Sequence, residues 1–260
     1  MCRFLAYRGD AILLESLVCA PSHSLIHQSR SARETRTTTN GDGFGLGWYG
    51  ERIEPGLYRE VQPAWSDDNL RSICAQVRSR LFFAHVRAST GTATSRANCH
   101  PFAAERFMFM HNGQIGGWAQ LRRQVEALIP DAVFAHRQGT TDSEAILLAA
   151  MADGLKQDPP GAMGRTLRRV HGLMRAAGVM EPLRFTAALT DGARLWGFRW
   201  ASDDAPATLY WRQETGALIV VSEPIDSDGV GWNALPPGGV LVAEPGEPVE
   251  IRLLETPTTA

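Results

Sequence analysis

From Arg184 onward the chain breaks into short strand-length segments, at 184–189, 194–199, 207–212, 217–222, 239–243 and 248–253. Turn signals separate them: Asp191-Gly192, Glu214-Thr215-Gly216 and Pro236-Pro237-Gly238-Gly239. Upstream the apolar spacing is helical. Trp118, Leu121, Val125 and Leu128 share one face of 114–129, and Leu167, Val170 and Met174 line 164–177. Between them, Thr141 and Glu144 open a helix over 141–155 with capping-box spacing. Further strands are predicted at 2–7, 57–61, 81–86 and 107–110, and a helix over 67–79. Strands, then helices, then strands predict an α+β layered domain. No repeat or low-complexity linker divides the chain, so residues 1–260 read as a single domain.

The connections are less regular. Residues 11–20 read as a short helix or a loop, 23–39 as a long exposed loop, and Asp158-Pro159-Pro160-Gly161 as a loop. Glycine at every second position in Asn40-Gly41-Asp42-Gly43-Phe44-Gly45-Leu46-Gly47 permits close backbone approach, or marks a hairpin turn entering a strand. No helical pattern follows it, so it is not a dinucleotide fingerprint.

Composition excludes several function classes. At 260 residues and 44% hydrophobic, the chain can bury a sizeable core. A net charge of −2 gives no reason to expect nucleic acid. The apolar run at the start is broken by Arg8, Asp10 and Glu15, unlike a signal peptide or membrane span. Cys2, Cys19, Cys74 and Cys99 form no CxxC pair, so free thiols and a cytoplasmic location are expected. His27, His85, His100, His111, His136 and His171 lack metal-ligand spacing, and no metal is expected.

Four positions could carry chemistry. Cys2 lies directly behind Met1, whose removal would place a thiol and a free α-amine on one residue. The amine, with a pKa of about 7.7–8.0, can serve as base for a thiol near 8.5; alternatively Cys2 is a chance cysteine on a buried strand. Arg87 ends the apolar run 81–86, and is either ion-paired within the fold or a fork for a substrate carboxylate. Asn112-Gly113 is either a turn or an oxyanion site built from a side-chain amide and a backbone N–H. Asp142 in a helical first turn is satisfied by the helix dipole alone.

Taken in order, Met1-Cys2, Asn40 to Gly45, His85 to Thr90, Asn98 to Phe102, His111 to Gly113 and Thr141 to Glu144 resemble the class II glutamine amidotransferases, which are N-terminal-nucleophile hydrolases. The likeness is greater to the stand-alone, YafJ-like branch, with the fungal glutathione-degrading subunit and the ergothioneine-pathway γ-glutamyl hydrolase. The resemblance implies a four-layer αββα sandwich, two antiparallel sheets between helix layers. It implies Cys2 as nucleophile with its own α-amine as base, and Asn112 and Gly113 as the oxyanion hole. Arg87 would hold the glutamyl α-carboxylate and Asp142 the α-ammonium. Thr90 and His100 would line the site, and Asp42 lies in the segment packed beside the nucleophile. No cofactor is implied.

The implied activity is release of glutamate from glutamine or a γ-glutamyl conjugate. Two alternatives are a subunit active only with a separate partner chain and a catalytically silent regulatory module. The sugar-phosphate and purine amidotransferases carry an arginine where this chain has Thr38-Thr39-Asn40, and a large aromatic in place of Ala88. No synthase domain is expected after this one. The loops 23–39, 92–97 and 224–237 are where leaving-group specificity is expected.

Overall fold

The computed structural model describes residues 2–34, 39–89, 91 and 93–255. Among these residues thirteen strands form two antiparallel sheets. In chain order they are β1 (Arg3–Leu13), β2 (Phe44–Trp48), β3 (Gly56–Glu60), β4 (Arg78–Val86), β5 (Phe102–Ala104), β6 (Phe107–Gln114), β7 (Arg184–Thr190), β8 (Leu195–Ala201), β9 (Tyr210–Glu214), β10 (Ala217–Val221), β11 (Asn233–Ala234), β12 (Gly239–Ala243) and β13 (Glu250–Leu253). The first sheet has the order β11-β9-β10-β1-β4-β2-β3, and the second β13-β12-β8-β7-β6-β5. The helices are α1 (Glu15–Val18), α2 (Leu25–Arg30), α3 (Asp68–Gln76), α4 (Trp118–Glu126), α5 (Asp131–Phe134), α6 (Asp142–Ala152) and α7 (Pro159–Ala176).

Side-chain alternation along the strands builds three apolar interfaces. Leu5 and Tyr7 of β1, with Phe82, Ala84 and Val86 of β4, pack under Val18, Leu25, Ile26, Leu70 and Cys74 of α1–α3. The alternate residues, Phe4, Ala6, Leu81 and Phe83, meet Met108 and Met110 of β6 and Ala188 of β7 between the sheets. Phe107, Phe109, Phe185 and Phe198 face α4, α6 and α7 on the far side. Helices, sheet, sheet, helices: this is the expected αββα sandwich. Helix α6 is buried almost all round, from Ser143 to Met151, because it lies between the second sheet and its neighbouring helices.

Several sequence readings change. β1 continues to Leu13 before a short helix. The 23–39 stretch is not an exposed loop, because α2 runs through it with Leu25, Ile26, Gln28 and Ser29 buried; residues 35–38 lie outside the described ones. Asn112-Gly113 is no turn: β6 runs through both to Gln114, held by antiparallel pairing to β7. The helix expected from Gln114 starts only at Trp118. Helix α7 starts at Pro159, where Pro159 and Pro160 occupy first-turn positions that need no N–H donor, capped by Asp158. β5 and β11 were not expected. Among the described residues, no helix is long and apolar enough to cross a membrane.

Candidate active site

Cys2 directly precedes β1, the strand between β10 and β4 near the middle of the first sheet. Strand alternation puts it on the face of Phe4 and Ala6, toward the second sheet. It is half-buried, and its Sγ lies 3.5 Å from the Ala88 carbonyl oxygen. Burial pushes the thiol pKa up, against the pull of the Arg87 and Arg3 charges. The thiol is therefore protonated at neutral pH and needs a base to react.

Asn112 lies on the opposite sheet, in β6. It shares the face of Met108 and Met110, which pack against Phe4 and Ala6. The residue is 2% exposed, and its Nδ2 has no hydrogen-bond partner among the described residues. β5 pairs with β6 only over Phe107–Phe109, so beyond that point β6 pairs with β7 on one side and, among the described residues, with no strand on the other. Gly113 is the next residue along that edge. A Cβ there would overlap the Arg184 carbonyl and the His111 ring, so only glycine fits. His111 itself points to the helix side, where its Nδ1 is 2.8 Å from Ser143 Oγ.

Arg87 follows β4 and is 3% exposed. Its main chain extends the ladder to β2: the Arg87 N–H donates to Gly43 O at 2.8 Å, and the Asp42 N–H to Arg87 O at 3.0 Å. The guanidinium donates to Asp42 O, Ser89 Oγ and Ala93 O. The Asp42 carboxylate accepts the Ser89 N–H at 2.7 Å. Asp42 thus holds the chain just past Arg87. Thr90 lies outside the described residues.

Asp142 is the first residue of α6. One carboxylate oxygen accepts the Ile115 N–H at 2.8 Å and the other the Ser143 N–H at 2.8 Å. Thr141 caps the helix through the Glu144 N–H. The Glu144 carboxylate does not return to Thr141. It takes the Gln138 and Gly139 N–H groups and pairs with Arg137, so only half of the expected capping box forms. Beside Asp142 opens a cleft of about 450 Å³ lined by Gly91, Gln114, Trp118 and Glu181. A larger cleft of about 620 Å³ lies around Arg8, Asp10 and Arg80. It is six to eight residues along β1 from Cys2, roughly 20–26 Å at strand rise, and none of the described site residues line it.

His100 stacks on His85 with ring centroids 4.2 Å apart. Burial drives both rings well below the ordinary histidine value, His85 to about 3. Both are neutral at pH 7. Three histidines separated in sequence (His85, His100 and His111) come close enough to influence one another. No group of three or more metal-ligating side chains forms among the described residues.

The alternate glycines now have a cause. Gly43, Gly45 and Gly47 present one face of β2 to residues 99–101 and Met108. A Cβ on Gly45 would overlap the His100 carbonyl, and Gly43 has a φ of +115° that other residues rarely adopt. Sequence reasoning missed the buried cluster of Arg3, His23 and Glu223. The only available signal was an arginine inside an otherwise apolar opening strand.

The four-layer sandwich is the fold of the N-terminal-nucleophile hydrolases. Residues 13–214 match the family model for class-II glutamine amidotransferases. The chain is 32% identical to the "Probable glutamine amidotransferase DUG3" of Saccharomyces cerevisiae, over 93% of this chain and 81% of that protein. It is 28% identical to the gamma-glutamyl-hercynylcysteine sulfoxide hydrolase of Mycobacterium tuberculosis, over 91% of this chain and 90% of that one. The solved glutamine aminotransferase class-II domain protein of Silicibacter pomeroyi superposes with a TM-score of 0.77 at 39% identity, covering 97% of this chain and 99% of that one. The chain belongs to the class II glutamine amidotransferases.

Proposed function

We propose that this protein is a γ-glutamyl amide hydrolase that uses Cys2 as nucleophile, once Met1 has been removed. The observation that carries this reading is the Asn112 amide, buried and unpartnered among the described residues, on the sheet face opposite Cys2. A buried donor without an acceptor is unfavourable by about 1–3 kcal/mol. Such a group is retained where charge will develop.

The chemistry follows from the groups present. Arg87 takes the substrate α-carboxylate and Asp142 the α-ammonium, which fixes the γ-carbonyl relative to the thiol. The Cys2 α-amine accepts the thiol proton as sulfur bonds to the γ-carbonyl carbon. The carbonyl oxygen becomes an oxyanion, which Asn112 Nδ2 and the Gly113 N–H receive. The C–N bond then breaks, and the α-ammonium returns its proton to the leaving amine. Water attacks the resulting γ-glutamyl thioester, giving its proton to the same amine. The C–S bond breaks, the thiolate recovers that proton, and glutamate leaves. His85 and His100 are neutral, with proton affinity too weak for a base at pH 7. The names of the relatives, an amidotransferase and a γ-glutamyl conjugate hydrolase, support this substrate class.

The test is a panel of glutamine, glutathione and other γ-glutamyl amides, with glutamate release measured for wild type and Cys2→Ala. Wild type, with an intact mass lacking Met1, is expected to turn over at least one of them. Full turnover by Cys2→Ala would sink the reading.

A further inference from the structure

Cys2 stands outside the ladder that orders the strand behind it. Pairing of β1 with β4 starts at Arg3, opposite Val86, so sheet hydrogen bonds do not set the orientation of Cys2. What holds its carbonyl is the side chain of the next residue: Arg3 Nη1 donates to Cys2 O at 2.9 Å. Arg3 is fully buried, on the helix side of the sheet. A buried guanidinium is unfavourable unless paired, and its partner is Glu223, just beyond β10. Arg3 Nε donates to Glu223 Oε2 at 2.8 Å.

Glu223 is also buried, and both its oxygens are used twice. Oε1 accepts the Arg33 N–H at 2.9 Å and lies 2.5 Å from His23 Nε2. Oε2 accepts the Glu34 N–H at 3.0 Å as well as Arg3 Nε. Burial works to raise its pKa, but the hydrogen bonds from His23, Glu34 and Arg33 prevail and hold the carboxyl below its ordinary value. Gln28 of α2 ties the same corner, donating to the carbonyls of His23, Glu223 and Pro224.

We propose that Glu223 is a positioning residue for Cys2: through the Arg3 guanidinium it fixes the Cys2–Arg3 peptide plane, and with it the direction of the thiol and the α-amine. The proposal rests on the reading of Cys2 as nucleophile. Glu223 touches neither substrate nor thiol. The four neighbours of its carboxylate come from β1, from the residue before the α2 cap, and from the chain after α2. One buried carboxylate thus sets the nucleophile and the adjoining loop together.

The experiment compares Glu223→Gln, the double variant Arg3→Met with Glu223→Gln, and Cys2→Ala. Two readouts are taken on the full chain: kcat and KM for the best substrate of the panel, and the pH dependence of Cys2 alkylation by iodoacetamide, followed by peptide mass spectrometry. Glu223→Gln leaves the Arg3 charge buried without its partner and can unfold. The double variant removes both charges, a replacement that folded cores tolerate, and the glutamine oxygen still serves the Arg33 N–H.

In whichever variant is folded, kcat is expected to fall about 10- to 100-fold, the scale of an ångström-level misplacement. KM should stay within about twofold, and the alkylation midpoint should move toward that of a free cysteine. An unchanged kcat and alkylation profile in a folded variant, with Cys2→Ala inactive, overturns the positioning role and leaves the nucleophile standing. A KM that rises in step with the loss of rate overturns it too. Full activity of Cys2→Ala removes the nucleophile reading itself, and the positioning role with it.

Discussion

His85 of β4 and His100, just before β5, stack 4.2 Å apart, and neither ring has a hydrogen-bond partner among the described residues. Both are held neutral by burial, His85 with a pKa of about 3. In the unfolded chain each would titrate near 6.5. Between those values the unfolded state binds more protons, so stability is full above about pH 6.5 and is lost as pH falls. Each ring contributes a slope of about 1.4 kcal/mol per pH unit in that window. Chemical denaturation at a series of pH values should show His85→Phe losing roughly one such increment of slope. An identical slope in the variant would refute the neutral-pair assignment.

Asn112 is expected to matter for rate and little for stability. On the proposed chemistry, Asn112→Ala removes one oxyanion donor and should lower kcat by about 10²- to 10³-fold. Its Nδ2 makes no hydrogen bond among the described residues that could be lost. Steady-state kinetics beside a thermal melt separates the two effects. A large drop in melting temperature with kcat retained would identify Asn112 as structural.

Asp142→Asn should act on substrate capture. The amide oxygen can still accept the Ile115 N–H while the Ser143 N–H loses its acceptor, and the Thr141 cap at the start of α6 is untouched. It loses the charge proposed for the α-ammonium, a charged hydrogen bond of about 1.5–3 kcal/mol, or 10- to 100-fold in kcat/KM. The effect should vanish with a γ-glutamyl substrate whose α-amine is acetylated. Equal losses on both substrates would argue against an ammonium contact.

Gly45→Ala tests the close approach of β2 to the His100 carbonyl. Its methyl overlaps backbone, which cannot swing aside as a side chain can. Overpacking of this kind is unfavourable by about 1–3 kcal/mol. Gly50→Ala, with open space around the added methyl, is the control and should leave the denaturation midpoint unchanged. Equal midpoints for the two variants would mean that the 99–101 segment yields easily.

The readings that held rest on local physics. Thr141 caps α6 as its spacing indicated, because a cap is decided within one turn. The apolar run 81–86 became the buried end of β4 for the same kind of reason. The failures come from contacts distant in sequence. Asn-Gly favours a turn, yet pairing with β7 carries Asn112 and Gly113 through as strand, and tertiary pairing outweighs turn propensity. Residues 23–34 are largely polar, so periodicity gave no helix; the His23 ring and the Arg33 and Glu34 N–H groups are held by Glu223, some 190 residues away.

The ordered motifs alone identified the family resemblance and nominated Cys2, Arg87, Asn112, Gly113 and Asp142, because residue type and order survive without coordinates. Only the folded sandwich put Cys2 and Asn112 on facing sheets. Only it buried the His85–His100 pair and joined Arg3 to Glu223. Burial and long-range pairing depend on which strands become neighbours. That is a property of the whole packed chain, and no window of the sequence contains it.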